Sequence, residues 1–181
     1  MSFVRSNQPQ LPRKEPLFDN SLKFDDIVND YMTHAYGEAA PIALEYLKAI
    51  DEHLPQTYVE ARHTLNHDAN QFYKPEMEPI LRKVEGITRE YEEKLAAFKN
   101  MPKRVQTVSV RLLLRHCELC RGLANALALK CVGKEVEAKA EINAFMNEFG
   151  KYEQSMERYY DHRQHRAAYA VIFNKMSEYV Q

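Results

Sequence analysis

His116-Cys117-Glu118-Leu119-Cys120 sets an imidazole and two thiols within five residues. Those are the side-chain types that ligate zinc or, as two cysteines in a C-x-x-C spacing, carry thiol–disulfide exchange. The spacing completes neither chemistry. A closed zinc site needs four ligands and no second cysteine pair exists, while a redox motif of this kind follows a strand and these residues fall inside a long helical pattern. Together with Cys131 they read as reduced, buried thiols. His116 reads as a half-buried histidine with one satisfied nitrogen. A second constellation, Glu60, His63 and His67 beside Asp68, has the spacing of one helix face and resembles half of a carboxylate-bridged metal site. Such sites pair matching Glu-x-x-His motifs, and neither His162 nor His165 has a carboxylate three residues before it. The group reads as a surface or connector cluster, and no metal or other cofactor is expected.

The carboxylates Glu76, Glu78, Glu90, Glu92 and Glu93 would serve a glycosidase only as a pair held about 5–10 Å apart in a cleft. Interleaved with Lys and Arg at helical spacing, they read instead as a solvated, charge-paired face. The run His162-Arg163-Gln164-His165-Arg166 is a short basic patch in a chain with 25 Lys and Arg against 26 Asp and Glu, which excludes a dominant nucleic-acid footprint. Phosphate-loop and nucleophile-elbow patterns are absent from the sequence. The first residues carry no basic segment followed by an apolar run, and no stretch of about twenty apolar residues occurs. The chain is therefore expected to be soluble, without an export signal, membrane or nucleic-acid contact, and its compartment is left open.

The elements that must carry these residues are helical. Residues 1–23, with Pro9, Pro12 and Pro16, read as an extended lead or linker, and 24–181 as a single helical-bundle domain. Asp25 or Asp26 is expected to cap a helix through Tyr36, Gly37 to interrupt it, and a second helix to run over 38–54 with Pro41 in its first turn and Ile42, Tyr46, Ala49 and Ile50 on one face. A short helix is expected over 57–65. Three long helices follow over 75–99, 102–131 and 134–160. The first carries Met77, Ile80, Leu81, Val84, Ile87, Tyr91, Leu95 and Phe98 on its stripe. The second carries Val105, Val108, Leu112, Leu119, Leu123 and Leu127, widened by Leu113, Leu114, Ala124 and Leu129, and is expected to be the most buried. The third carries a four-three seam of Ala138, Ile142, Phe145, Phe149, Tyr152, Met156 and Tyr159. Short connections make these three antiparallel neighbours, and 166–180 adds a terminal helix. The expected fold class is an all-α antiparallel helical bundle of three long helices, with shorter N-terminal helices and a C-terminal one.

One stretch carries a family likeness. Leu17-Phe18-Asp19-Asn20, Asp26-Ile27-Val28-Asn29-Asp30-Tyr31, Ala35-Tyr36-Gly37-Glu38-Ala39-Ala40 and Glu45-Tyr46-Leu47 resemble a recurrent segment of large glycoside-hydrolase-like proteins, the domain of unknown function 4838 family. In those proteins the segment opens a C-terminal helical region that follows a catalytic (β/α)-barrel. The resemblance implies a noncatalytic accessory module, with the catalytic barrel of the same parent protein as its partner and no hydrolase residue of its own. It places Tyr31, His34 and Tyr36 nearest the barrel junction, where an aromatic ring stacks on carbohydrate or, more simply, packs in the core. The alternative is a free-standing helical interaction protein that self-associates through an exposed part of a helix stripe.

Overall fold

The computed structural model describes residues 23–59, 73–156 and 158–173, and among them it is helical with no strand. The all-α bundle expected from the sequence is what forms. Helix α1 spans Phe24–Tyr36, a 3-10 turn Gly37–Ala39 leads into α2 at Ala40–His53, and α3 is the short Gln56–Val59. A second 3-10 turn, Pro75–Met77, opens α4 at Glu78–Ala96, followed by α5 at Arg104–Cys131 and α6 at Glu135–Phe149. A third 3-10 turn, Gly150–Tyr152, the short α7 at Glu153–Met156, and α8 at His162–Phe173 complete the order. Helix α5 is the axis: α4 and α6 pack along it, α2 packs on α4, α1 on α2 and α5, and α8 on α6. The Glu60, His63, His67 and Asp68 group and residues 174–180 of the expected terminal helix lie outside the described residues, as does nearly all of the expected lead.

Each junction has a local cause. Gly37 stops α1 because its backbone adopts φ 56° and ψ −125°, a region closed to side chains, and because the Gln106 side chain occupies the space a β-carbon would need. The cap position of α1 is Lys23, not Asp25 or Asp26; no side chain caps it, and the two aspartates lie inside the first turn, where they complement the helix dipole. Pro41 sits in the first turn of α2 as expected, and the face it buries is Ala40, Ala43, Tyr46 and Ile50. The α4–α5 loop is clipped to α5 by Arg111, whose Nε donates to the Lys99 carbonyl at 3.0 Å and whose guanidinium reaches Asn100 Oδ1 at 2.7 Å. At the end of α5, Gly133 N–H donates to the Lys130 carbonyl and Lys134 N–H to that of Leu129, both at 3.0 Å, with Gly133 at φ 75°. That is a Schellman closure, and it turns the chain back into α6.

Two expectations are corrected by packing. In α5, Leu113, Leu123, Ala124 and Leu127 of the expected stripe are buried, joined by Val110, Cys117, Cys120 and Cys131, whereas Val105, also placed on the stripe by sequence, is 58 % exposed. Leu112 and Leu119 of the expected stripe are half-buried against a smaller cluster formed by Phe149 and Tyr160. The third long helix also does not run to Tyr160. Its α-helical geometry gives way after Phe149 to the 3-10 turn Gly150–Tyr152 and the short Glu153–Met156 helix, so the helical course continues to Met156 and stops short of Tyr160. The ring of His162 lies against Gly150, with Nε2 2.8 Å from where a β-carbon would stand, and Tyr160 packs edge-on against Phe149 at 5.3 Å. The seam therefore buries Ala138, Ile142 and Phe149 but leaves Tyr152 and Tyr159 on the surface. The terminal helix begins earlier than expected, at His162.

Candidate functional site

Helix α1 is apolar on two sides. Val28 and Tyr36 are partly buried around Met32, its fully buried residue, and face the bundle. Phe24, Ile27 and Tyr31, at i, i+3 and i+7, form a second ridge that the fold leaves 76 %, 47 % and 64 % exposed. His34, one turn further along, extends that outer face and is held to its own helix by an Nδ1 contact with the Asp30 carbonyl at 2.9 Å and the Asp30 carboxylate at 3.3 Å. Of the three residues expected near a junction, Tyr31 and His34 thus share the outer face, while Tyr36 turns inward. Burial pushes the Tyr36 phenol above its ordinary range. Phe24 and Ile27 were missed as site residues, although their spacing to Tyr31 was present in the sequence. Of the acids on this helix, Asp30 adjoins the ridge, paired with His34.

Tyr36-Gly37, Ala39-Ala40 and Tyr46 have internal duties. Ala39 and Ala40 are buried where α1 turns into α2, and Tyr46 is completely enclosed. Its hydroxyl bonds His116 Nδ1 at 2.9 Å, and its ring meets those of Tyr91 at 5.6 Å and His116 at 5.7 Å. With the phenol as donor, the neutral imidazole carries its proton on Nε2. Cys120 Sγ lies 3.6 Å from the same ring, and Cys117, Cys120 and Cys131 are free and buried, as the sequence suggests. Burial pushes the Cys117 thiol up to about 12 and those of Cys120 and Cys131 to about 11, which leaves them protonated and weakly nucleophilic. Among the described residues no group of three or more His, Cys, Asp or Glu side chains is arranged to hold a metal ion.

This cluster sets a pH profile. Burial, then the charge of His165, holds His116 below its ordinary range, so the unfolded chain takes up that proton first as pH falls. The stability tied to neutral His116 is complete above about pH 6.5 and is lost below it, levelling once the folded ring itself protonates. The raised thiols act in the opposite sense: their share is complete below about pH 8.5 and is lost as pH rises toward their folded values. Lys130, held low by burial, opposes them, one amine against three thiols. Urea midpoints measured across this range should form a plateau between the two limits, and His116→Gln should flatten the acid side. A midpoint that rises on acidification would refute the assignment.

The charged residues are paired at the surface. Glu78 with Arg82, Glu85 with Arg89 and Glu90 with Lys94 are i, i+4 pairs on α4. Glu92 is the exception: Arg121 of α5 grips it with two bonds of 2.8 and 3.0 Å, tying the two helices together. The basic run is not a continuous patch, since His162 is buried and the ring of His165 stacks on Tyr160 at 4.4 Å. Among the described residues no helix is long and apolar enough to cross a membrane. Comparison of the chain with protein-family models, with curated proteins and with solved structures gives no match.

Proposed function

We propose that this chain is a noncatalytic helical module that docks through the outer face of α1. In the form the resemblance implies, that face packs against the catalytic barrel of a carbohydrate-active, glycoside-hydrolase-like protein. The observation that carries the reading is the ridge Phe24, Ile27 and Tyr31, three large apolar side chains exposed on one side of one helix. Contiguous apolar surface of this kind is characteristic of partner contacts. The likeness itself supports the same face. Gly37, Ala39, Ala40 and Tyr46 are accounted for by packing inside the chain, which leaves Tyr31, among the described residues of that stretch, as the aromatic on the surface. In this reading Tyr31 and His34 border the junction, and the tyrosine ring is available to a sugar face at the rim of the substrate cleft.

An antibody raised against the chain, used to size the endogenous product in cells and medium, tests the module form. A product several times larger than 21.2 kDa supports it. A product of 21.2 kDa overturns it and leaves the free-standing interaction protein. The face is tested separately by replacing Phe24, Ile27 and Tyr31 together with serine. Because all three are exposed, the unfolding free energy is expected to stay within about 0.5 kcal/mol per site of the parent. A collapse of stability would show that the ridge belongs to the core of this chain and is not a docking face.

A further inference from the structure

Lys130 is the buried cation of this fold. It lies in the last turn of α5, only 4 % exposed, and its ammonium stands over the rings of Tyr73 at 5.0 Å and Phe173 at 5.8 Å. Among the described residues it has neither an ion-pair nor a hydrogen-bond partner; Glu135 is the nearby acid that acts on it through space. Its stem is buried and its ammonium faces the cleft. Here it lines an open cleft of about 580 Å³, together with Tyr73, Pro75, Cys131, Val132 and Glu135. The walls are mostly apolar, with one acid beside one amine.

We propose that Lys130 is a covalent binding site for an apolar aldehyde, its amine condensing with the carbonyl to form an imine inside this cleft. The inference is independent of the docking face on α1. The free amine adds its lone pair to the carbonyl carbon, the carbonyl oxygen takes a proton, and the carbinolamine then expels water as the C=N bond forms. Glu135 is the acid on the cleft wall that serves the proton transfers of dehydration. No oxidant or reductant is needed. The protonated imine is again a cation, so the Tyr73 and Phe173 rings that hold the ammonium also stabilise the product. Burial supports the chemistry by lowering the lysine below its ordinary range, which enlarges the nucleophilic fraction at neutral pH. The neighbouring Cys131 thiol, pushed up to about 11, stays protonated and does not compete.

Benzaldehyde with cyanoborohydride at neutral pH is the probe, since hydride delivered to the imine carbon fixes a stable alkyl mark that peptide mass spectrometry can locate. In the folded protein Lys130 should be marked several-fold faster than the exposed Lys83 and Lys139, and the preference should vanish in urea. Equal or slower marking of Lys130 in the folded protein overturns the proposal. Lys130→Arg keeps a cation between the rings without a free amine, so it should retain the parent's helicity and lose only the preferred mark. Persistence of a fast mark on another cleft residue in that variant also overturns it.

Discussion

A Tyr46→Ala protein is expected to lose about 3–5 kcal/mol of unfolding free energy, the range for truncating a fully enclosed aromatic. Tyr46 has no exposed surface, and it lies where α2 meets both α4 and α5, against Tyr91 of the first and His116 of the second. The truncation opens a cavity among three helices and also removes the Tyr46 hydroxyl bonded to His116 Nδ1 at 2.9 Å, leaving that nitrogen the weaker Cys120 Sγ at 3.6 Å. Tyr46→Phe separates the two causes, because it keeps the ring and removes only the hydroxyl. Its cost should be about 1–3 kcal/mol, the penalty of removing the stronger partner of one buried polar atom. Urea unfolding followed by circular dichroism decides the matter: if both variants lose the same amount, the ring contributes nothing and the packing account of α2 is wrong.

Gly122→Val should cost about 1–3 kcal/mol and loosen α6 from α5. A β-carbon on Gly122 would stand 2.6 Å from Cγ, Cδ1 and Cδ2 of Phe145, so the ring of Phe145 lies flat where the side chain would go. Phe145 in turn contacts Phe149, the last residue of α6, at 5.6 Å. Displacing one ring therefore disturbs the small core under Tyr160 as well. The control is Gly86 on α4, where nothing lies within 4 Å of an added β-carbon. Gly86→Ala should stabilise the protein by about 0.5–1 kcal/mol through helix propensity alone, whereas Gly122→Ala should destabilise it despite the same gain. If both alanine variants shift the urea midpoint upward, the α5–α6 contact is looser than the ring position implies.

The bundle was legible because apolar residues stepping by three and four leave little alternative to amphipathic helices. What the spacing could not decide was which of two stripes α5 would turn inward. Val110, Leu113, Cys117, Cys120, Ala124, Leu127 and Cys131 alternate by three and four, yet a run of leucines a few positions away looked the more hydrophobic seam. A helix flanked on several sides buries more than one stripe, so Leu113, Leu123 and Leu127 are enclosed alongside the cysteines and alanines, while Leu112 and Leu119 stay half-buried. The break after Phe149 was illegible for another reason. Tyr152, Met156 and Tyr159 continue the helical pattern, and the chain does stay helical to Met156, but as a 3-10 turn at Gly150–Tyr152, where the ring of His162 comes from twelve residues downstream to lie against Gly150. As for the candidate sites, the ridge on α1 was visible in the spacing of Phe24, Ile27 and Tyr31, whereas nothing in the sequence around Lys130 shows that its ammonium comes to stand over the rings of Tyr73 and Phe173.

Helix α1 keeps a single fully buried side chain, Met32, while α5 buries residues along nearly its whole length. The free energy needed to detach α1 is consequently a fraction of that needed to unfold the molecule, and its amides should exchange with solvent deuterium through local opening while those of α5 wait for global unfolding. Because its outer ridge and its one inward anchor share the same thirteen residues, anything that binds the ridge must also hold the helix down. Occupancy of that face would be recorded as slowed exchange along α1, a signal that needs neither an activity nor the identity of what is bound.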